Sequence, residues 1–135
     1  GITMGMTVAV ACPKGYTPDK EIMAWAEKTG RFLCTEDVLA AADGADVVYT
    51  DVWASMGQEG EAQKRQAVFA GKYQVNAAVM DAAKHDAMVQ HCLPAHRGEE
   101  ITAEVLEAHA AEIFDEAENR LHAQKAVMVL CMENN

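Results

Sequence analysis

The 135 residues, 50% of them hydrophobic and 24% charged, match the make-up of one ordinary globular domain. A formal net charge of −10, with acids spread along the chain, argues against nucleic acid as a partner. No apolar run approaches the roughly 18 residues of a membrane helix and no signal-peptide pattern opens the chain, so no membrane association is expected.

Residues 6–11 (MTVAVA) form a short β-rich run and predict a buried strand, ended by Cys12-Pro13-Lys14-Gly15. Thr17-Pro18 then predicts a helix start, a hydroxyl cap followed by Pro at the first helical position, with Gly30 as the stop. Residues 31–35 (RFLCT) predict a second strand. Thr35 is the expected cap of a helix over 36–42, and Gly44 ends it. Residues 45–51 (ADVVYTD) predict a third strand. A loop over 53–60 (WASMGQEG) follows, then a polar helix over 61–70 and a brief extended piece at 73–75. Asn76 is the expected cap of a helix to about residue 85. Residues 87–91 predict a fourth strand, and Thr102 caps a helix over 103–110. Ile113–Phe114 predicts a short fifth strand. Asp115 predicts the cap of a last helix running to about residue 132, with Ala117, Leu121, Met128 and Cys131 on its inner face. Strands that are apolar on both faces and alternate with helices point to an α/β domain with a mostly parallel sheet covered on both sides.

Three places carry candidate chemistry. In residues 90–101 (QHCLPAHRGEEI), Pro94 restricts Leu93 to an extended or turn conformation and Gly98 permits a turn of positive φ. A rigid loop past the carboxyl end of a strand is where open α/β sheets bind ligands. Cys92 is also readable as a small buried hydrophobe or as a histidine-activated nucleophile, although alternation along a strand points His91 away from it. The spacing of His85, His91, His96 and Cys92 matches no zinc pattern, so no metal is expected. At the second place, Asp51 and Ser55 present a carboxylate and a hydroxyl from one loop, a set that suits the ammonium and carboxylate of a free amino acid. Either residue is equally readable as a helix cap. At the third, Arg120 carries a planar fork suited to phosphate or carboxyl oxygens, or pairs with Glu116 one turn earlier. Cys12, Cys34, Cys92 and Cys131 form no CxxC pair and read as reduced thiols of a cytoplasmic protein.

Three strings together resemble the ornithine carbamoyltransferases: DVWASMGQE at 51–59, HCLPAHRGEE at 91–100 and FDEAENRLHAQK at 114–125, with YQVN at 73–76 fitting as well. The likeness runs from about Met6 to Leu130. It implies a Rossmann-like, three-layer αβα domain that binds L-ornithine and serves the transfer of a carbamoyl group from carbamoyl phosphate. Asp51 resembles the group that holds the α-amino nitrogen. Ser55 and Met56 resemble the SMG pair on the amino acid's backbone groups. Cys92 and Leu93 resemble the loop against the reacting carbamoyl group and the side-chain amine. Arg120 resembles a carbamoyl phosphate ligand. No cofactor is implied. The Ser-Thr-Arg-Thr-Arg stretch by which the family's other domain clamps phosphate does not occur here, so the chain is expected to be inactive alone. The resemblance implies that the single domain, 1–135, is incomplete at its N-terminal end, because the chain starts at what resembles the second strand and the family's first strand and helix, whose loop supplies an Asn, have no counterpart. The catalytically silent alternative is an amino-acid-binding or structural fragment.

The resemblance also implies that one central strand is missing between the first and third strands of this chain. That leaves a gap of about 9.6 Å, twice the ~4.8 Å strand spacing. Closure of the two strands, filling by residues 1–5, and filling by a second copy or partner are the three expected solutions, with a homo-oligomer leading.

Overall fold

The computed structural model describes residues 1–54 and 59–133. The chain alternates strand and helix: β1 (Val8–Ala11), α1 (Lys20–Glu27), β2 (Phe32–Thr35), α2 (Val38–Ala42) and β3 (Val47–Thr50). A 3-10 turn at Glu59–Glu61 follows, then α3 (Ala62–Phe69), α4 (Ala77–Ala82), β4 (Met88–His91), α5 (Ala103–Ala108) and α6 (Ala110–Glu133). The expected strands at residues 6–11, 31–35, 45–51 and 87–91 therefore all form, trimmed at their ends. Side-chain hydrogen bonding explains the trimming of the helices. Asp19, not Thr17, caps α1, because its carboxylate accepts from the N–H groups of both Glu21 and Ile22. Asp37, not Thr35, caps α2 in the same way, through Leu39 and Ala40. The Thr35 hydroxyl instead accepts from the Asp37 N–H and sets up the turn. Asn76 and Thr102 cap α4 and α5 as expected. Gly30 stops the first helix region at φ 68°, a left-handed conformation that a side chain resists.

Two expectations fail together. Ile113–Phe114 is not a strand, and Asp115 does not cap a helix; both lie inside α6, which starts at Ala110. The run AHAAEIFDEAENR is rich in strong helix formers, and a two-residue apolar pair does not outweigh them. Ile113 faces the core, only 1% exposed, as a helical residue. Where a fifth strand would have paired with β4, the Glu112 carboxylate accepts the Val89 N–H at 2.9 Å. The supposed inner face of α6 is outside too: Leu121 is 58% exposed, and Met128 and Cys131 are also exposed.

The strands form two separate parallel pairs rather than one sheet. In one, Val8 lies opposite Phe32 and Ala11 opposite Thr35; in the other, Val47 lies opposite Met88 and Thr50 opposite His91. The core sits beneath the second pair, where Val48 and Val89 pack with Val79, Ile101, Leu106 and Ile113. The opposite face is less covered, with Tyr49 and Met88 half exposed. A cavity of about 150 Å³ lies between β1 and β3, lined by Ala9 and Ala11 on one side and Val47 and Tyr49 on the other. Residues 1–5 do not fill it. They turn at the start of the chain, held by the Arg31 guanidinium on the Gly5 carbonyl at 3.2 Å. Among the described residues, no strand joins the two pairs.

Candidate functional site

Parallel register delivers the site. Thr50 and His91 are the last opposed pair of β3 and β4, so Asp51 and Cys92 leave the sheet side by side at its carboxyl end. Side chains alternate along a strand. His91 therefore points into the core, while Tyr49, Asp51 and Cys92 share the other face.

His91 and Glu100 are both fully buried. The Leu93 N–H donates to His91 Nδ1 at 2.9 Å, which leaves Nε2 as the nitrogen that carries hydrogen, 3.0 Å from Glu100 Oε1. The same oxygen accepts the His96 N–H at 2.6 Å. Burial pushes the Glu100 carboxyl up, but these donors from His91 and His96 outweigh it and hold the group below its ordinary value. Two buried side chains thus tie residues 91–100 into a closed ring. Leu93 turns within it at φ 52°, its bond to Pro94 is cis, and Gly98 takes the expected positive φ. From outside, the Gln74 amide grips the Gly98 and Glu99 carbonyls at 2.9 and 2.8 Å.

This loop forms one wall of a cavity of about 520 Å³, with Asp51, Trp53, Gln66, Cys92, Leu93 and Pro94 among its lining residues. The volume lies in the range of small-molecule sites. Trp53 is buried and stacks on Phe69, with ring centroids 6.0 Å apart, which anchors the start of the loop after β3. The Cys92 sulfur, an Asp51 carboxylate oxygen and a His91 ring nitrogen all lie within 4.8 Å of one another. Burial raises the Cys92 thiol above its ordinary value, the Asp51 carboxylate raises it further, and a hydrogen bond from Tyr49 opposes both. Asp51 is exposed and accepts the Val52 N–H at 2.7 Å, and no described helix begins at it. Arg120 is brought into the same place. Its guanidinium donates to the Cys92 carbonyl at 3.3 Å, whereas Glu116 accepts from the Tyr49 hydroxyl at 2.9 Å. Asp51, Cys92, Leu93 and Arg120 therefore converge, while Ser55 and Met56 lie outside the described residues. As a cation site, the trio of Asp51, His91 and Cys92 is poorly suited, because both His91 ring nitrogens are already engaged.

Sequence reasoning assigned no site role to Glu100 or Tyr49, set His91 aside as a base or metal ligand, and read Glu116 only as a surface partner of Arg120. Alternation marks Tyr49, two residues before Asp51, as sharing its face. The His91–Glu100 pair closes across only nine positions, within a string already singled out.

The family model for the aspartate/ornithine carbamoyltransferase Asp/Orn binding domain matches residues 1–131. The chain belongs to this family. It is 50% identical over 137 aligned residues to an ornithine carbamoyltransferase of Pyrococcus horikoshii, covering 98% of this chain and 43% of that protein. An anabolic ornithine carbamoyltransferase of Campylobacter jejuni superposes with a TM-score of 0.88 at 35% identity, covering 95% of this chain and 44% of that one. The Pyrococcus furiosus ornithine carbamoyltransferase does so at 0.81 and 49% identity, covering 93% and 41%. The chain thus spans under half the length of these relatives.

Proposed function

We propose that this chain is the amino-acid-binding part of an ornithine carbamoyltransferase, the enzyme that moves the carbamoyl group of carbamoyl phosphate to the δ-amino group of L-ornithine, giving L-citrulline and phosphate. The observation that carries the reading is the convergence of Asp51 and Cys92 on one rim of a ligand-sized cavity, with the Arg120 guanidinium on the Cys92 carbonyl beside them.

In the reaction the neutral δ-nitrogen attacks the carbamoyl carbon, the carbon–oxygen bond to phosphate breaks, and the nitrogen gives up a proton. The Asp51 carboxylate supplies a charge-assisted acceptor for the α-ammonium group. Ser55 and Met56 take the amino acid's backbone groups. Cys92 and Leu93 face the reacting amine and carbamoyl group, where the thiol's proton affinity bears on that of the amine. Arg120 offers its remaining N–H groups to the phosphate. Orientation of two bound reactants is the main contribution such a site makes. Carbamoyl phosphate is otherwise held outside this domain, since the chain has no Ser-Thr-Arg-Thr-Arg stretch. That lack favours a second level of description, a binding or structural piece that makes no citrulline alone. The reading places the chain in the cytoplasm, in arginine metabolism, and in a homo-oligomer. No described helix is long and apolar enough to cross a membrane.

Calorimetric titration with L-ornithine tests the assignment. Saturable binding is expected, weakened about tenfold or more by Asp51→Asn through loss of a charged hydrogen bond. A colorimetric citrulline assay of the chain with both substrates is expected to stay at the blank. Flat titrations would remove the binding role, and turnover would show that the phosphate clamp is dispensable.

A further inference from the structure

The first strand pair carries a chemistry of its own, outside the site described above. Cys34 lies in β2, and Cys12 directly follows the last residue of β1. Register sets Cys34 opposite Val10, and Cys12 stands two residues further along, so alternation turns both thiols to the same face. Their sulfurs lie 3.8 Å apart, and both thiols are free. They differ in access: Cys12 is buried, whereas Cys34 is half-buried.

We propose that Cys12 and Cys34 form a reversible disulfide site, closed by exchange with a low-molecular-weight disulfide. The Cys34 thiolate attacks one sulfur of the small disulfide, whose S–S bond breaks, and one small thiol leaves. The Cys12 sulfur gives up its proton and attacks the Cys34 sulfur, and the second small thiol leaves. The two protein thiols are oxidised, and the small disulfide is reduced to two thiols that take up the two protons. Closure draws the sulfurs to ~2.05 Å. Rotation of both side chains and a small shift of Cys12, which stands past the end of its strand, cover the difference.

The surroundings set the order of the two steps. Burial, then contact with Cys34, push the Cys12 thiol up to about 11, and the Glu36 charge adds to the rise. Cys12 is therefore a poor first nucleophile near neutrality. Once Cys34 carries the mixed disulfide it has neither thiol hydrogen nor charge, so its share of that rise is gone. The two other thiols lie on different elements: Cys92 follows β4, and Cys131 is exposed on α6.

Closure joins β1 to β2 across 22 positions. Among the described residues, none from either strand belongs to the core cluster beneath the second pair, so the bond fastens the pair that lies outside that core. In a reducing compartment the site rests as two thiols and closes when small disulfides accumulate. The inference rests on the geometry of the pair and not on the proposed reaction.

The test incubates the 135-residue chain with millimolar reduced and oxidised glutathione, quenches it in acid and reads its peptides by mass spectrometry. The expected product has lost two hydrogens and yields a peptide in which Cys12 is joined to Cys34. It should exceed the form carrying glutathione on Cys34 by roughly tenfold or more, because the second exchange is intramolecular. Cys12→Ala cannot close and is expected to accumulate glutathione on Cys34. In Cys34→Ala, glutathione is expected to reach Cys12 at about a third of that rate or below.

Phenylarsine oxide puts the same question to the unaltered chain, with no variant to fold. Its oxygen leaves as water with the two thiol hydrogens, and the arsenic bonds both sulfurs. Cys12 and Cys34 are expected to be shielded together from iodoacetamide. An arsenical that shields neither overturns the inference. So does a chain that stops at the mixed disulfide on Cys34, one that stays reduced in excess oxidised glutathione, or a linked peptide that joins either cysteine to a different thiol.

Discussion

Glu100 shows how a single buried residue shapes a loop. Its Oε1 takes hydrogen bonds from the His91 ring and the His96 N–H, two donors that flank Cys92-Leu93-Pro94-Ala95. Remove the carboxylate and the fully buried His91 ring is left unpaired, while the part-buried His96 N–H loses its acceptor. Glu100→Ala is therefore expected to destabilise the chain by about 3–5 kcal/mol, the usual cost of stranding one member of a buried pair. That is a large share of the roughly 5–15 kcal/mol that holds a domain together. Urea unfolding followed by circular dichroism measures it, and a loss under about 1 kcal/mol would mean the ring is held by other contacts. The pH dependence has a definite sign. The folded Glu100 carboxyl lies below its unfolded value near 4.5, so it adds stability above that pH and loses the contribution as pH falls through the folded value. The urea midpoint should drop below about pH 4.5, and Glu100→Gln should flatten that acid limb. Glu112 acts in the same direction. Burial raises it, but the Val89 N–H and His109 outweigh that and lower it.

At the scale of elements, what was legible in the sequence was local. Gly30, Asn76 and Thr102 punctuate the chain through their own backbone preferences, so strand and helix order came out in sequence. The α1 and α2 caps were misplaced by two residues, because a carboxylate two positions on competes with a hydroxyl and wins. The meeting of Asp51 and Cys92 was legible for a topological reason: both follow strands, and the two parallel strands end together. Tyr49 and Glu116, 67 positions apart, had no local signal for their contact. The last helix was misread because Ile113 and Phe114 looked like a strand in isolation, and because its apolar residues were assumed to face inward. The structure reverses that assignment, with Ile113 buried and Leu121 exposed. Ile113→Ala is accordingly expected to cost about 2–4 kcal/mol and Leu121→Ala to stay within about 0.5 kcal/mol. Denaturant titration of both variants decides it. Equal losses would mean that α6 lies down on the domain along its whole length.

For the whole molecule, the decisive feature is the split between the two strand pairs. Hydrogen bonding within a parallel pair alternates residue by residue. Val8 and Cys12 donate to the backbone of the β2 segment, so Ala9 and Ala11 turn their N–H and C=O groups toward the cavity. On the far side, Met88 donates to the Asp46 carbonyl, and the register then turns Val47 and Tyr49 toward the same cavity. Two strand edges therefore face one another across an alanine- and valine-lined space of about 150 Å³. Exposed apolar edges of this kind recruit further strands, and a second copy of the chain, which carries the same edges, is the recruit always at hand. The chain is expected to self-associate at micromolar concentration through β1 and β3, forming a closed pair if the contact is two-fold. Val47→Lys places a charge on that edge without touching the hydrogen bonds to β4, and it should shift the population toward monomer. Sedimentation velocity across a concentration series reads both outcomes. A parent chain that stays monomeric and monodisperse at every concentration would mean that the gap is tolerated as it stands. Association that Val47→Lys leaves unchanged would move the contact elsewhere, with the exposed apolar stretch of α6 the next surface to alter.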